Sequence, residues 1–95
     1  MRATKLYLNL KRKHYNDILS GKKTEEYRLV KKHWTNRIVG REYTHIIFKN
    51  GHQKNSPTME VEYFGYTVRF MQHDEFGSDP VSVYVLKLGK IKIIQ

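Results

Sequence analysis

A chain of 95 residues can bury one hydrophobic core and no more, and at 39% hydrophobic content its 12 aromatic side chains make that core feasible. The absence of cysteine excludes a disulfide framework and a thiolate metal site, and no apolar run approaches the roughly 20 residues that span a bilayer. The net charge of +9 is uneven: residues 1–54 hold 14 Lys/Arg against 4 Asp/Glu, whereas residues 55–95 hold 4 against 5. A basic half on so small a domain suggests a polyanionic partner, most often nucleic acid. The opening run Met1-Arg2-Ala3-Thr4-Lys5 has no signal-peptide core. A cytoplasmic monomer with no membrane partner is therefore expected.

In chain order, residues 5–11 come first. Leu6, Leu8 and Leu10 alternate with Tyr7, Asn9 and Lys11, which predicts a half-buried strand with a polar-aromatic second face. Residues 14–20 predict a short helix, with Tyr15, Ile18 and Leu19 on one apolar stripe and Gly21 as the stop. A second strand is expected over about 24–30. Residues 31–38 place Trp34 and Ile38 four apart among cations, which predicts one or two helical turns ended by Gly40. His45 to Lys49 reads as a strand buried on both faces, closed by the turn signal Asn50-Gly51. A polar loop follows over residues 51–58.

Residues 59–63 and 66–70 both alternate, with Gly65 permitting a bend or bulge between them. Residues 71–80 read as a loop. Residues 81–88 predict a strand, Gly89 a break, and residues 91–94 a last short strand. The expectation is a single α+β domain, mainly β. It has five or six strands, one or two short helices and a closed or nearly closed small barrel, which also hides the sheet edges.

The densest chemistry lies just after the first helix. On a strand, side chains two apart share a face, so Glu26 and Arg28 project together with Lys23 at the strand mouth. A cation–anion–cation cluster of this kind can bind a phosphate or polarise a base edge. It can also be a plain surface ion cluster, though exposed pairs contribute only about 0–1 kcal/mol.

Gly21, Lys23, Glu26 and Arg28 fill the pattern glycine, any, lysine, any two, glutamate, any, arginine. The stretch Ile18 to Arg28 thereby resembles the signature of the ASCH domain, a member of the PUA-like superfamily. The Leu6-Tyr7-Leu8 lead-in and the closing run Tyr84 to Ile91 are similar to that family as well. The resemblance implies one PUA-like β-barrel over residues 1–95, a cleft lined by the motif residues, and RNA or a nucleotide as ligand. Some ASCH-type proteins are amidohydrolases acting on acylated cytidine nucleosides. They carry a threonine nucleophile where this chain has Glu26, and the nearest threonine here is Thr24. Two functions follow: nucleotide or RNA binding, or hydrolysis of an acylated cytidine nucleoside or an RNA phosphodiester.

In the binding reading, Arg28 supplies a planar fork for a phosphate or base edge and Lys23 a point charge, while Glu26 orients them. In the enzymatic reading, Lys23 and Glu26 are the catalytic pair. Thr24, Asn9 and Lys11 are further lining candidates, and Tyr7 shares the Asn9 face. Trp34 either stacks a base at the cleft mouth or anchors the core against Ile38. Lys31, Lys32, Arg37 and Arg41 attract phosphates non-specifically or form a solvated face. Glu75 can add a carboxylate to the cleft. His14, His33, His45 and His52 have no metal-ligand spacing, and no phosphate-loop, dinucleotide or serine-triad motif is present. Neither a metal nor a cofactor is expected.

Overall fold

A computed structural model describes residues 4–95. The elements are β1 (Lys5–Leu10), α1 (Arg12–Leu19), β2 (Glu25–Leu29), α2 (Lys32–Ile38), β3 (His45–Asn50), β4 (Thr58–Met71), a single 3-10 turn (Asp74–Phe76) and β5 (Val81–Ile93). The domain is α+β and mainly β: one five-stranded sheet in the order β1-β3-β4-β5-β2, with two helices. β1 runs parallel to β3, and the other neighbouring pairs are antiparallel.

The alternation in β1 does what its pattern predicts. Leu6, Leu8 and Leu10 are buried while Lys5, Tyr7 and Asn9 are exposed. β3 is central, and Ile46, Ile47 and Phe48 are all buried. Met59, Val61 and Tyr63 of β4 and Val83 to Leu86 of β5 complete the core. Tyr15 and Ile18 attach α1 to it, whereas Leu19, expected on the same stripe, is exposed. Leu19 is the last helical residue, beside the exit turn. Ile38 anchors α2.

The alternating runs around Gly65 form one long strand, β4, and the irregularity expected between them is present: its register to β5 shifts between Val61 and Tyr63 and again between Tyr63 and Tyr66. One strand expectation needs correction. Gly89, expected to break the last strand, lies inside a continuous β5. There the glycine serves close approach, since an added Cβ would lie 2.5 Å from Cε2 of Phe64. The sheet has five strands, within the five or six expected.

The sheet order ends at β1 on one side and β2 on the other. No ladder joins these two strands, but side chains reach the outer edge of β1. Arg28 Nη2, from β2, donates to the Asn9 carbonyl (3.2 Å), and Arg37 Nη2, from α2, donates to the Tyr7 carbonyl (3.1 Å). Backbone groups two residues apart on a strand face the same edge, so the two guanidiniums satisfy adjacent acceptors that a neighbouring strand would otherwise take. Among the described residues no helix is long and apolar enough to cross a membrane.

Candidate functional site

The exit of α1 sets the position of Lys23. Ser20 caps the helix, and Gly21 follows with φ +82°, a left-handed conformation that suits glycine. The Gly21 amide donates to the Ile18 carbonyl (3.0 Å) and the Lys23 amide to the Asp17 carbonyl (2.9 Å). Lys23 is thereby fastened to the helix end two residues before β2. Within β2, Glu26 and Arg28 share a face as strand geometry requires.

The three side chains meet. Lys23 Nζ lies 2.8 Å from Glu26 Oε1, and Arg28 Nη2 lies 2.9 Å from Glu26 Oε2. Glu26 is only 5% exposed, so this is no surface ion cluster. A carboxylate withdrawn from water requires partners for its oxygens, and each oxygen has a charged donor. Lys23 and Arg28 themselves remain partly open to solvent.

Arg28 is committed further. Besides Glu26 and the Asn9 carbonyl, its guanidinium carbon lies 4.7 Å from the Trp34 ring centroid, and that of Arg37 lies 5.5 Å from the same ring. Trp34 packs against the core and also lines the cleft. The Nε of Arg28 is buried without a hydrogen-bond partner among the described residues.

On the other side of Lys23 the polar chain continues. Its Nζ is 3.4 Å from Nδ1 of His14, and Nε2 of His14 is 3.3 Å from Oε2 of Glu75. One neutral tautomer satisfies both contacts: Nδ1 accepts from the ammonium and Nε2–H donates to the carboxylate. Glu75 also faces Lys11 Nζ at 3.3 Å. The hydrogen bond from His14 is the main influence holding the Glu75 carboxyl below the usual range, with Lys11 assisting against partial desolvation.

These groups line a cleft of about 230 Å³. Its aromatic lining is Trp34 together with Tyr27, His73 and Phe76; the His73 ring is 5.4 Å from Tyr27 and 5.5 Å from Phe76, centroid to centroid. The Lys23 ammonium sits 5.4 Å from the Tyr27 ring. Tyr27 is held by a 2.9 Å hydrogen bond from its hydroxyl to Glu25, which Arg69 also engages. The 3-10 turn carrying Glu75 and Phe76 comes from the loop expected over residues 71–80.

Of the residues singled out from sequence, Lys23, Glu26, Arg28, Asn9, Lys11, Trp34 and Glu75 line this cleft. Thr24 does not. It is exposed at the approach to β2, where its carbonyl accepts from the Leu88 amide. Tyr7 is exposed and lies outside the cleft, lining a second concavity. His14, Tyr27, His73 and Phe76 were not expected there. His14 lacked ligand spacing, and its role depends on the α1 exit turn bringing Lys23 back beside it. Among the described residues no three His, Asp or Glu side chains are grouped to hold a metal ion. Comparison with protein-family models, curated proteins and solved structures found no match to this chain.

Proposed function

We propose that this chain is an ASCH domain of the PUA-like superfamily whose cleft binds RNA or a nucleotide. The observation that carries the reading is the buried Glu26 carboxylate holding Lys23 and Arg28 in place on one wall of the cleft. Such an arrangement fixes two cations before a ligand arrives, which lowers the ordering cost of recognition. Lys23 uses one ammonium proton on Glu26 and one on His14, leaving a third for a ligand oxygen. The guanidinium and aromatic lining suits an unpaired base, since RNA is read by stacking on rings and arginine planes. The basic residues 1–54 attract the phosphate chain. In this reading the sheet curls into a nearly closed barrel, and Arg28 and Arg37 bridge the gap beside β1 in place of a ladder.

Isothermal titration of short mixed-sequence single-stranded RNA at low and high salt tests the reading, with Arg28→Lys and Arg28→Ala checked for folding by circular dichroism. Binding that weakens with salt and with either variant is expected. Absence of binding at low salt, or binding unchanged in a folded Arg28→Ala variant, overturns it.

One observation favours a second reading, hydrolysis of an acylated cytidine nucleoside or an RNA phosphodiester. The line Glu75–His14–Lys23 couples a carboxylate, an imidazole and an amine within 3.4 Å contacts, the components of a proton relay. Against acyl transfer, Thr24 lies outside the cleft. Incubation with N4-acetylcytidine, and separately with RNA, followed by chromatography distinguishes binding from turnover.

A further inference from the structure

The outer face of the sheet beside the cleft holds a second concavity of about 240 Å³, lined by Tyr7, Asn9, Ile47, Lys49 and Thr58 together with Leu8. It is not separate from the first, because Asn9 lines both. The strand register explains its composition. Tyr7 stands opposite Ile47 and Asn9 opposite Lys49, so an aromatic–aliphatic pair and an amide–ammonium pair lie side by side on one face.

Three features of this face suit a nucleotide. Tyr7 is 63% exposed although it is a large ring, and its backbone is held by Arg37. A ring fixed on a strand and open to solvent is a stacking platform for a base of any identity. The Asn9 side-chain amide is 3.1 Å from Nδ1 of His52, so the amide donates and His52 keeps its Nε2–H as a free donor. Lys49 lines the concavity together with the ring, and His52 adds a donor next to Asn9. Glu60, opposite Ile47 in the neighbouring strand, is already paired with Lys5 at 2.8 Å, which leaves the Lys49 charge without a partner among the described residues.

We infer that this face is a second nucleotide site continuous with the cleft, so that the ligand is single-stranded RNA running across β1 rather than a free mononucleotide. The inference rests on the cleft reading above and specifies its ligand. The base in the cleft stacks beside Arg28 and Trp34, the backbone passes Asn9, and the adjacent base stacks on Tyr7 with its phosphate near Lys49 and His52.

The test compares a short mixed-sequence single-stranded RNA with each common nucleoside monophosphate by isothermal titration, using the wild type, Tyr7→Ala and Lys49→Ala. The expected result is that the oligonucleotide binds at least about tenfold more tightly than any monophosphate, an advantage of the size one stacked base supplies. Tyr7→Ala removes most of that advantage and leaves monophosphate affinity unchanged, and Lys49→Ala reduces it less. Equal affinities for oligonucleotide and monophosphate, or an advantage unaffected by both substitutions, overturn the second site while leaving the cleft reading intact. Absence of binding by either probe overturns the cleft reading and this inference together. Tyr7 is exposed, so circular dichroism should show both variants folded as the wild type.

Discussion

The guanidinium of Arg28 lies over the indole of Trp34, 4.7 Å from its centroid, while the same group holds Glu26 and the Asn9 carbonyl. Trp34 is the sole tryptophan of the chain, so its emission reports directly on the cleft. RNA entering beside Arg28 should change Trp34 fluorescence, and the titration should give the same dissociation constant as calorimetry. Trp34→Ala is expected to cost about 2–3 kcal/mol in urea unfolding, less than the 3–5 kcal/mol of a fully buried ring, because Trp34 is only partly buried.

Glu26 is the most sensitive position of the motif. Removing it leaves two cations facing each other with little water access, a loss of about 3 kcal/mol, at the low end for a buried pair because both cations retain some solvent. Glu26→Ala should therefore lower the urea midpoint strongly. Adding Lys23→Ala should recover part of the loss, because one unpaired charge then disappears. Simple additivity of the two changes would show that the residues do not interact.

Acid should weaken the fold in a specific window. Glu25 is held below the usual carboxylate range chiefly by hydrogen bonds from Arg69, Glu60 by Lys5 and Glu75 by His14. A carboxyl depressed in the folded state contributes stability that is fully present above its unfolded value near 4.5 and lost as pH falls through the folded value. Thermal stability should therefore decline as pH drops below about 4.5. In the variant Glu75→Gln the decline should be shallower, because up to one proton fewer is taken up on unfolding.

Lys11 is largely exposed, and its partner Glu75 is partly open. Its contribution to RNA binding should be electrostatic and independent of sequence. Lys11→Ala is expected to reduce the slope of log affinity against log salt by about 0.7, the value for one phosphate contact on a single strand. An unchanged slope would remove Lys11 from the interface.

Gly21 adopts φ +82° with nothing near the position of an added Cβ. Gly21→Ala should cost about 1 kcal/mol through backbone strain alone. It should also weaken RNA binding, because the turn that fastens Lys23 to the Asp17 carbonyl must distort. Retained affinity at reduced stability would separate the turn from recognition.

Local physics made much of this site legible. The period of two in residues 24–30 is enough to put Glu26 and Arg28 on one face, and the glycine stop of α1 is enough to put Lys23 at the mouth of that strand. The alternation of residues 5–10 likewise separates the buried leucines from Tyr7 and Asn9. What escaped were relations that no local pattern encodes. Gly89 reads as a break, but its neighbour is Phe64, 25 positions earlier, whose ring leaves no room for a Cβ there. His14 and Glu75 are 61 residues apart and meet only because the loop after β4 returns to α1.

The sequence alone determined that this is one small, mainly β, basic domain carrying a Lys23–Glu26–Arg28 cluster, because periodicity and charge act over a few residues. Only the tertiary structure decided that Glu26 is buried, that Thr24 is excluded, that Trp34 serves both core and cleft, and that Arg28 and Arg37 satisfy the outer edge of β1. Those facts depend on which distant segments close against one another. The apolar area the sheet buries drives that closure, and no window of residues contains it.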